Sequence, residues 1–598
     1  MKKLLQLTSL ALAFFVNATS VVAETPATNL SDTPSTPSTA NKEPDDVIFR
    51  ALQDEMARNQ QRLKLGVHSQ PYFLQYKVLD SETCYITASC GAIAQSRTSR
   101  SRYLYSDVRI GDYNLDSSRK PGNLDSLFGS SSMGVSQSLP IEDDYYALRH
   151  QMWLASDRAY KKAIESYEDK KANLKAHPET DRLGDFTKEK PVVFLKPAVN
   201  LKLDKKKWED TCRKLSEVFV QYPEIEYSVV SFTSQAGNAW LVNNEGFKHR
   251  DGKLQTILSV FARIRAKDGR PYCDAEFMAG EADKELPDFK NMEKSVKDLV
   301  ARLKRTAEAP LAKAYSGPIL LEPEASAPML YMAIANMTAA AHEKTEGSSL
   351  FRSVQPSRHK INQRVSSRLL TVVDDPAATT YKGTPLLGNY EVDDDGVHAQ
   401  KITLIEKGLL KNFCTSRIPT PDTAGSNGHS LNGVGSVSVL FVSAEPSLQA
   451  KKLKRKLMDL GKEQGYDEVY IIKRIVRIPS WLSSSDSESS SSFFSKLGGD
   501  LTLYPTEVYK VSVKTGKEEL VRGGRLSVQM SRVLRDITCA GDDERACSFV
   551  QDAMYVSSLV VPSIVLYDAD LKEPVKSGEK PPVLESPLTL KTQKSKEE

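Results

Sequence analysis

The sequence predicts an α+β fold, with a helix-flanked antiparallel sheet in the amino-terminal half and a strand-rich carboxyl-terminal domain. Short runs between Tyr72 and Tyr113 alternate apolar and polar residues, which is the pattern of strands with one buried face. Charged stretches with apolar residues at helical spacing flank these runs, whereas the chain after Gly347 consists mostly of short apolar runs. At 598 residues the chain is too long for one core, so we expect several domains.

Predicted helices and predicted strands follow one another along the amino-terminal half, which is typical of an α+β protein. The predicted helices cover 46–63, 143–175, 205–221 and 291–309, and the predicted strands lie within 72–113 and at 226–232, 239–243, 254–266 and 318–321. The Gly- and Ser-rich segment Gly129–Ser138 predicts a loop. We therefore expect an amino-terminal α+β domain over 46–315, followed by a central helix segment over 316–365.

The carboxyl-terminal half is predicted to be rich in strands. Its predicted strands lie at 369–373, 401–405, 437–443, 506–513, 517–521 and 560–567, with one amphipathic helix over 448–464. Residues 483–492 are nearly all serine, so we expect a flexible insertion there. The predicted domain covers 366–572, and the tail over 573–598, dominated by Lys, Pro and Glu, is expected to be loose.

The amino terminus has the pattern of an export signal. Lys2 and Lys3 precede an apolar run, and small or apolar residues end at Ala23, which predicts a signal peptide over 1–23. Residues 24–45 are rich in Pro, Ser and Thr and predict a disordered linker. No run approaches the roughly 18 apolar residues of a spanning helix. We therefore expect an exported, periplasmic protein without a stable membrane anchor.

Composition argues against several classes of function. The chain is 40% hydrophobic and 26% charged, with a formal net charge of +4, and no stretch concentrates Lys and Arg among aromatic residues. These features give no reason to expect nucleic-acid binding. The sequence also has no P-loop spacing and no G-x-S-x-G elbow, so phosphate binding and serine hydrolase chemistry lack support.

The central helix, predicted over 325–347, carries the strongest chemical signal. Its middle is apolar and uncharged, it has a Ser/Pro entry and a Gly exit, and its end reads His342-Glu343. Several metallopeptidases present a metal ligand beside a general base in this way. The alternative is that His342 merely hydrogen-bonds near the helix end, where its charge suits the carbonyl dipole.

Seven cysteines leave two disulfide alternatives open. Cys84 and Cys90 lie in one strand–turn–strand segment, and Cys539 and Cys547 flank a short charged loop. Either pair would form a local disulfide in an oxidising compartment. A disulfide to Cys547 would remove its thiolate as a metal ligand.

Several segments form an ordered set over half of the chain: Leu241–Gly246, Val373–Asp375, Asp394–Gly396, Leu404–Lys411, Gly425–Gly428 and Glu518–Gly524. Together they resemble the TldD/PmbA family, once described as modulators of DNA gyrase and now regarded as zinc metallopeptidases with non-catalytic sister subunits. The resemblance implies that the two halves enclose a narrow cavity and that subunits pair through their carboxyl-terminal domains, as a homodimer or as a heterodimer with a family paralogue.

The resemblance also implies a zinc site that this chain has altered. The family uses two His of an H-E-x-x-x-H motif and a late Cys; His342 matches the first His and Glu343 the general base. The second His is replaced by Gly347, which has no side chain to bind a metal. The late Cys is best matched by Cys547, with Cys539 the less suitable residue.

One residue already present, Glu346, can take the place of the missing histidine as a metal ligand. Glu346 follows His342 by four residues, which places it about 40° further round a regular helix, and a carboxylate is an acceptable zinc ligand. The predicted ligands are therefore His342, Glu346 and Cys547. His359 and His398 lie in polar segments, where exposure is expected, and His429 beside Gly428 is expected to line a loop; none of these three is in the predicted ligand set.

Two functions follow from this altered motif. The first is zinc-dependent hydrolysis of short or unfolded peptides in the cell envelope, with Glu343 accepting a proton from water activated by the metal. The alternative is a catalytically inactive family member that acts as a partner subunit or as a peptide-binding scaffold. Whether the chain is an enzyme depends on whether zinc binding survives the loss of the second His.

Overall fold

The computed structural model describes residues 46–118, 135–178, 182–338, 360–423, 425–475, 500–552, 555–573 and 582–589. The chain divides into two compact units, Met1–Asp46 and Val47–Glu598. Asp46 is the one described residue of the first unit, and all described helices and strands lie in the second. The predicted signal peptide and linker therefore fall outside the described residues.

The described residues form six α-helices, several with aspartate caps. Asp144, Asp204 and Asp288 each accept a hydrogen bond from a backbone N–H in the first helical turn. No helix in the described ranges is long and apolar enough to cross a bilayer. The helices are α1 Val47–Arg62, α2 Tyr145–Ala176, α3 Lys205–Glu217, α4 Phe289–Glu308, α5 Pro323–Thr338 and α6 Ala450–Glu463, and 3₁₀ turns cover Val218–Gln221 and Asp283–Glu285.

A seven-stranded sheet dominates the amino-terminal half. Its strands are β1 Phe73–Ser89, β2 Ala92–Arg109, β3 Val135–Ser138, β4 Val193–Leu195, β5 Ile225–Asn243, β6 Lys248–Arg265 and β7 Pro271–Gly280. They run in the order β3-β2-β1-β5-β6-β4, with β7 also paired to β6, and only the short β4–β6 pair is parallel. Helices α1 and α2 share one core with this sheet and α3 and α4 another, which confirms the predicted helix-flanked antiparallel sheet.

Two larger sheets form the carboxyl-terminal half. The eight-stranded sheet holds β8 Tyr315–Leu321, β17 Glu468–Ile475, β18 Asp500–Leu503, β19 Pro505–Ser512, β20 Glu518–Val521, β21 Arg525–Gln529, β22 Ile537–Ala540 and β25 Ile564–Lys572. The six-stranded sheet holds β9 Leu370–Asp374, β12 Ile402–Glu406, β13 Leu409–Leu410, β16 Leu440–Ala444, β23 Arg545–Asp552 and β24 Tyr555–Val561. Short pairs join β10 Thr380–Tyr381 to β11 Thr384–Pro385 and β14 Ser430–Leu431 to β15 Val434–Gly435.

Helix α5 packs against both larger carboxyl-terminal sheets. Residues of α5, the eight-stranded sheet and the six-stranded sheet belong to one continuous hydrophobic core. Strand β8, which leads into α5, pairs with β17 and β25, so this strand and helix pack with the carboxyl-terminal half. The predicted boundaries at 315, 365 and 572 stay predictions.

Two predicted elements differ from the structure. The predicted loop Gly129–Ser138 ends in strand β3, whose four residues pair with Tyr103–Ser106 of β2; an edge position lets polar residues form a strand there. The strand predicted at 560–567 comprises the end of β24 and the start of β25, which belong to different sheets. Pro562 separates them, and proline cannot donate a backbone hydrogen bond to a sheet.

Candidate metal centre

Helix α5 begins and ends against the carboxyl-terminal core. Near its start, the Ser326 hydroxyl donates to the Pro562 carbonyl oxygen at 3.0 Å. At its last described residue, the Thr338 carbonyl oxygen accepts a hydrogen bond from the Cys414 backbone N–H at 2.9 Å. This contact brings a thiol beside the last described turn of α5.

Asp374, Cys414 and His429 converge beside that end. Asp374 is the last residue of β9, Cys414 follows β13, and His429 directly precedes β14. The Asp374 Oδ2 atom lies 3.7 Å from His429 Nε2 and 3.9 Å from Cys414 Sγ, and the three metal-binding atoms all lie within 4.8 Å of one another. All three side chains are buried. Carboxylate, thiolate and imidazole are the usual zinc ligands.

Strand register fixes the Asp374 carboxylate. Leu440 of β16 faces Asp374 of β9, so the two residues before Leu440 lie against its side chain. The Ser438 N–H donates to Oδ2 at 2.9 Å, while the Ser438 hydroxyl and the Val439 N–H donate to Oδ1 at 2.9 and 3.1 Å. Oδ2 thus keeps lone-pair capacity toward His429 and Cys414.

Burial sets the protonation of the three groups. It raises the pKa of Asp374 above its usual value, although the nearby His429 opposes the shift, and it lowers the pKa of His429. Burial, followed by the Asp374 charge, raises the pKa of the Cys414 thiol well above its usual value. In the metal-free protein at neutral pH, Cys414 is therefore a thiol and His429 a neutral imidazole.

The structure describes one of the four residues predicted to form the catalytic metal site. His342, Glu343 and Glu346 lie outside the described residues, as does the chain from 339 to 359. Cys547 lies on β23 and is partly buried against the core shared with α5. The ligand set therefore stays a prediction.

Cys547 lies near the start of α5. Arg545, two residues before it on the same strand, approaches the Glu324 carboxylate at 3.7 Å. Burial, and then the Glu324 charge, raise the pKa of Cys547 to about 12, against the opposing effect of Arg545. A 16-residue helix is about 24 Å long, so Cys547 and Cys414 mark opposite ends of α5.

All seven cysteines lie in the described residues, and none of them forms a disulfide. Neither disulfide that the sequence left open is formed. Cys539 belongs to the eight-stranded sheet and Cys547 to the six-stranded sheet, whereas Cys84 is buried and Cys90 is exposed at the β1–β2 turn.

A small cleft of about 30 Å³ lies between the amino-terminal sheet and carboxyl-terminal loops. Paired charges line it: Lys77 Nζ contacts Asp394 Oδ1 at 2.8 Å, and Arg109 contacts Asp107 at 2.7 Å. Phe73 contributes an aromatic wall. The cleft therefore offers both charged groups and an apolar surface to a ligand.

No local sequence pattern marks the cluster. In the sequence, Asp374 and the segment before His429 are parts of family-like motifs, and the position of His429 beside Gly428 predicts a loop. In the structure His429 is fully buried. Cys414 lies 40 residues from Asp374, and such a separation has no recognisable metal-binding spacing.

Comparison with known proteins gives a match that spans the cluster. Residues 314–471 match the family model of the PmbA/TldA metallopeptidase C-terminal domain. A metalloprotease from Methanocaldococcus jannaschii is 26% identical over 207 residues, which is 34% of this chain and 42% of that protein. A metalloprotease from Archaeoglobus fulgidus is 26% identical over 98 residues, or 16% of this chain and 22% of that protein. The matches span less than half the length of these curated relatives.

Solved structures share the fold. A protein described as a modulator of DNA gyrase from Thermotoga maritima superposes with a TM-score of 0.56 at 14% identity, covering 88% of this chain and 99% of that one. TldE from Thermococcus kodakarensis has a TM-score of 0.52 at 13% identity, covering 87% of this chain and 100% of that one.

Proposed function

Because the chain belongs to the TldD/PmbA family, we propose that it hydrolyses short or unfolded peptides in a zinc-dependent reaction in the cell envelope. The match to a metallopeptidase domain over residues 314–471 and two relatives named as metalloproteases support this proposal. The observation that carries it furthest is the match to the metallopeptidase domain, because the matched residues 314–471 include the His342-Glu343 pair.

The proposed chemistry uses the motif that follows α5 in the sequence. A zinc ion held by His342, Glu346 and Cys547 would act as a Lewis acid and activate water. Glu343, adjacent to His342 in the sequence, is the carboxylate that accepts the water's proton. Asp374, Cys414 and His429 are not part of this proposed reaction.

The cleft beside the amino-terminal sheet is the proposed peptide-binding surface. Lys77 offers a cation and Asp394 offers a carboxylate, whereas Phe73 and Arg109, which also line the cleft, are buried. Charged termini and side chains of a short peptide would compete for the ion pairs that line the cleft.

Replacing Glu343 by Gln tests the proposed reaction. We expect zinc-dependent cleavage of an unstructured peptide library to fall by about 10²–10⁴-fold, because the proton acceptor is lost while the predicted zinc ligands remain. Cleavage is measured by mass spectrometry and zinc content by elemental analysis. The exposed Glu463→Gln is the matched control and should cleave as the wild type does.

Cleavage that is equal in Glu343→Gln and wild type, or that is insensitive to chelators, contradicts the proposed reaction. It would leave the second candidate, a non-catalytic family member that binds peptides or pairs with a paralogue. Two observations favour that candidate. The cluster of Asp374, Cys414 and His429 is fully buried, and Cys547 lies at the opposite end of α5 from that cluster. Stoichiometric peptide binding without cleavage is its expected signature.

A further inference from the structure

The imidazole of His429 is held in one tautomer. Its Nδ1 atom lies 3.1 Å from both the carbonyl oxygen and the Oδ1 atom of Asn427. The Asn427 amide is itself oriented, since Oδ1 accepts from the Thr415 N–H at 3.0 Å and Nδ2 donates to the Phe413 carbonyl oxygen at 2.7 Å. Both neighbours of Nδ1 are acceptors, so Nδ1 carries the proton. Nε2 therefore presents its lone pair to Asp374.

The Nε2 atom has no hydrogen-bond partner among the residues that the structure describes, although the side chain is fully buried. A buried nitrogen without a partner is costly and needs a cause. A backbone or carboxylate acceptor on one imidazole nitrogen, with the other nitrogen free, is the usual arrangement of a metal-binding histidine. His429 has this arrangement.

The separations suit a tetrahedral ion. Ligand atoms at 2.0–2.3 Å from such an ion lie about 3.3–3.8 Å apart. The Asp374 Oδ2 atom lies 3.7 Å from His429 Nε2 and 3.9 Å from Cys414 Sγ, so these two pairs need shifts of only a few tenths of an ångström. The third pair, Cys414 Sγ and His429 Nε2, lies within 4.8 Å and would close further on binding. A Cys–His–Asp catalytic triad fits less well. In such a triad the carboxylate accepts a hydrogen bond from the Nδ1 atom of the histidine, whereas here Nδ1 faces Asn427.

We propose that Asp374, Cys414 and His429 form a buried site for a transition-metal ion, Zn²⁺ or Co²⁺, separate from the predicted ligands His342, Glu346 and Cys547. Thiolate and imidazole ligands favour these ions over Mg²⁺ and Ca²⁺. A divalent ion also neutralises the Asp374 carboxylate and the Cys414 thiolate, and no Lys or Arg of the described residues pairs with that carboxylate.

The ion joins three separate stretches of the carboxyl-terminal half. It links the end of β9, the segment after β13 that bonds to Thr338, and the loop before β14. With all three ligands buried and the fourth position left to water, the ion holds these segments against the last described turn of α5. This inference does not depend on peptide hydrolysis.

Titration of the metal-free protein with Co²⁺ tests the site, because thiolate coordination produces charge-transfer absorption in the near ultraviolet. We expect one Co²⁺ bound at this site with this absorption, apart from any ion held by His342, Glu346 and Cys547, and a higher melting temperature on binding. In a Cys547→Ala background, which removes the thiol of the predicted ligand set, Cys414→Ala and His429→Gln should both lose the absorption. Cys539→Ala, which removes a buried thiol from the other large sheet, is the matched control and should keep it. Asn427→Ala should weaken binding by about 10–100-fold.

Cys547→Ala separates this inference from the proposed function. Absorption lost in Cys547→Ala and kept in Cys414→Ala would place the metal at the predicted ligands and overturn the present site. A wild-type protein that binds Co²⁺ without thiolate absorption would overturn it too, and this readout needs no variant to fold. Absorption kept in Cys547→Ala and lost in the folded double variant Cys547→Ala/His429→Gln supports the site even if no peptide is cleaved.

Discussion

At the scale of single residues, glycines let the segments around the cluster of Asp374, Cys414 and His429 approach one another. A Cβ atom added to Gly435 would lie 1.9 Å from the Cys414 carbonyl oxygen. Gly428, next to His429, has a φ of +75°, and a Cβ there would lie 2.2 Å from the His398 carbonyl oxygen. Backbone atoms cannot move aside as a flexible side chain can, so these positions require glycine. The placement of Cys414 and His429 thus depends on Gly428 and Gly435, which have no side chain to bind a metal.

Gly435→Ala should lower the free energy of unfolding by about 1–3 kcal/mol or more, because the new methyl group meets the Cys414 backbone. Urea denaturation measures the change. Gly465→Ala is the control: its φ is +80° with nothing within 4 Å, so it should cost about 1–2 kcal/mol for backbone strain alone. A Gly435 variant as stable as wild type would show that the close contact is not needed.

At the scale of elements, a buried ion pair ties the β1–β2 hairpin to the chain that enters α2. The fully buried Arg102 contacts Asp80 Oδ2 at 2.6 Å and donates to the Pro140 and Glu142 carbonyl oxygens at 3.1 and 3.3 Å. Burial favours the neutral form of Asp80, but hydrogen bonds from Arg100 and Arg102 outweigh it and lower the pKa of the carboxyl. Asp80 therefore stays ionised and compensates the buried Arg102 charge.

Asp80→Asn should cost at most about 3–5 kcal/mol at neutral pH, because it leaves the buried Arg102 with only the exposed Asp143 carboxylate, 2.8 Å away, as counter-charge. A lowered folded-state pKa stabilises the fold above the unfolded value of 3.8 and loses its effect as the pH falls through the folded value. The difference in the free energy of unfolding between wild type and variant should therefore decrease only below pH 3.8. Denaturation at stepwise pH values measures this difference.

The control is Asp157→Asn, which removes an exposed pair with Lys161 on α2. It should change stability by less than about 0.5 kcal/mol at any of these pH values. Equal losses in the two aspartate variants would contradict the assignment of the effect to the buried charge of Arg102.

At the scale of the whole molecule, Arg417 joins the two halves. Its guanidinium contacts Glu245, which follows β5, at 2.6 Å, and both side chains are buried. It also donates to the Thr187 carbonyl oxygen and stacks on Phe186 at 4.1 Å. The planar guanidinium of arginine can donate to several acceptors and stack on an aromatic ring at the same time. It therefore suits a fixed junction better than the ammonium of lysine. The cleft lies beside this junction, and Phe186 lines it.

Arg417→Met should destabilise the fold by about 3–5 kcal/mol, because Glu245 would stay buried without its cation. The double variant Arg417→Met/Glu245→Gln should recover part of that loss, since it buries no unpaired charge. A double-mutant cycle from urea denaturation gives the coupling free energy. Losses that simply add would show that the two side chains do not depend on each other.

Local patterns predicted much of the architecture. The alternation between Tyr72 and Tyr113 predicted strands that the structure has as β1 and β2, and the apolar run after Glu324 predicted the buried helix α5. Strand β3 was missed because its residues, Val135–Ser138, are mostly polar and form an edge. Strand β7 was missed because Pro271–Gly280 shows no clean alternation.

The sequence by itself determined the α+β class, the buried central helix and the resemblance to TldD/PmbA proteins, because periodicity and ordered motifs are properties of neighbouring residues. Only the tertiary structure decided that Asp374, Cys414 and His429 meet, and that Cys547 lies at the other end of α5. The physical reason is register. The Asp374 carboxylate is aimed by the pairing of β9 with β16, and Cys414 is placed by its bond to Thr338. Such contacts depend on how distant segments pack, and no local pattern records them.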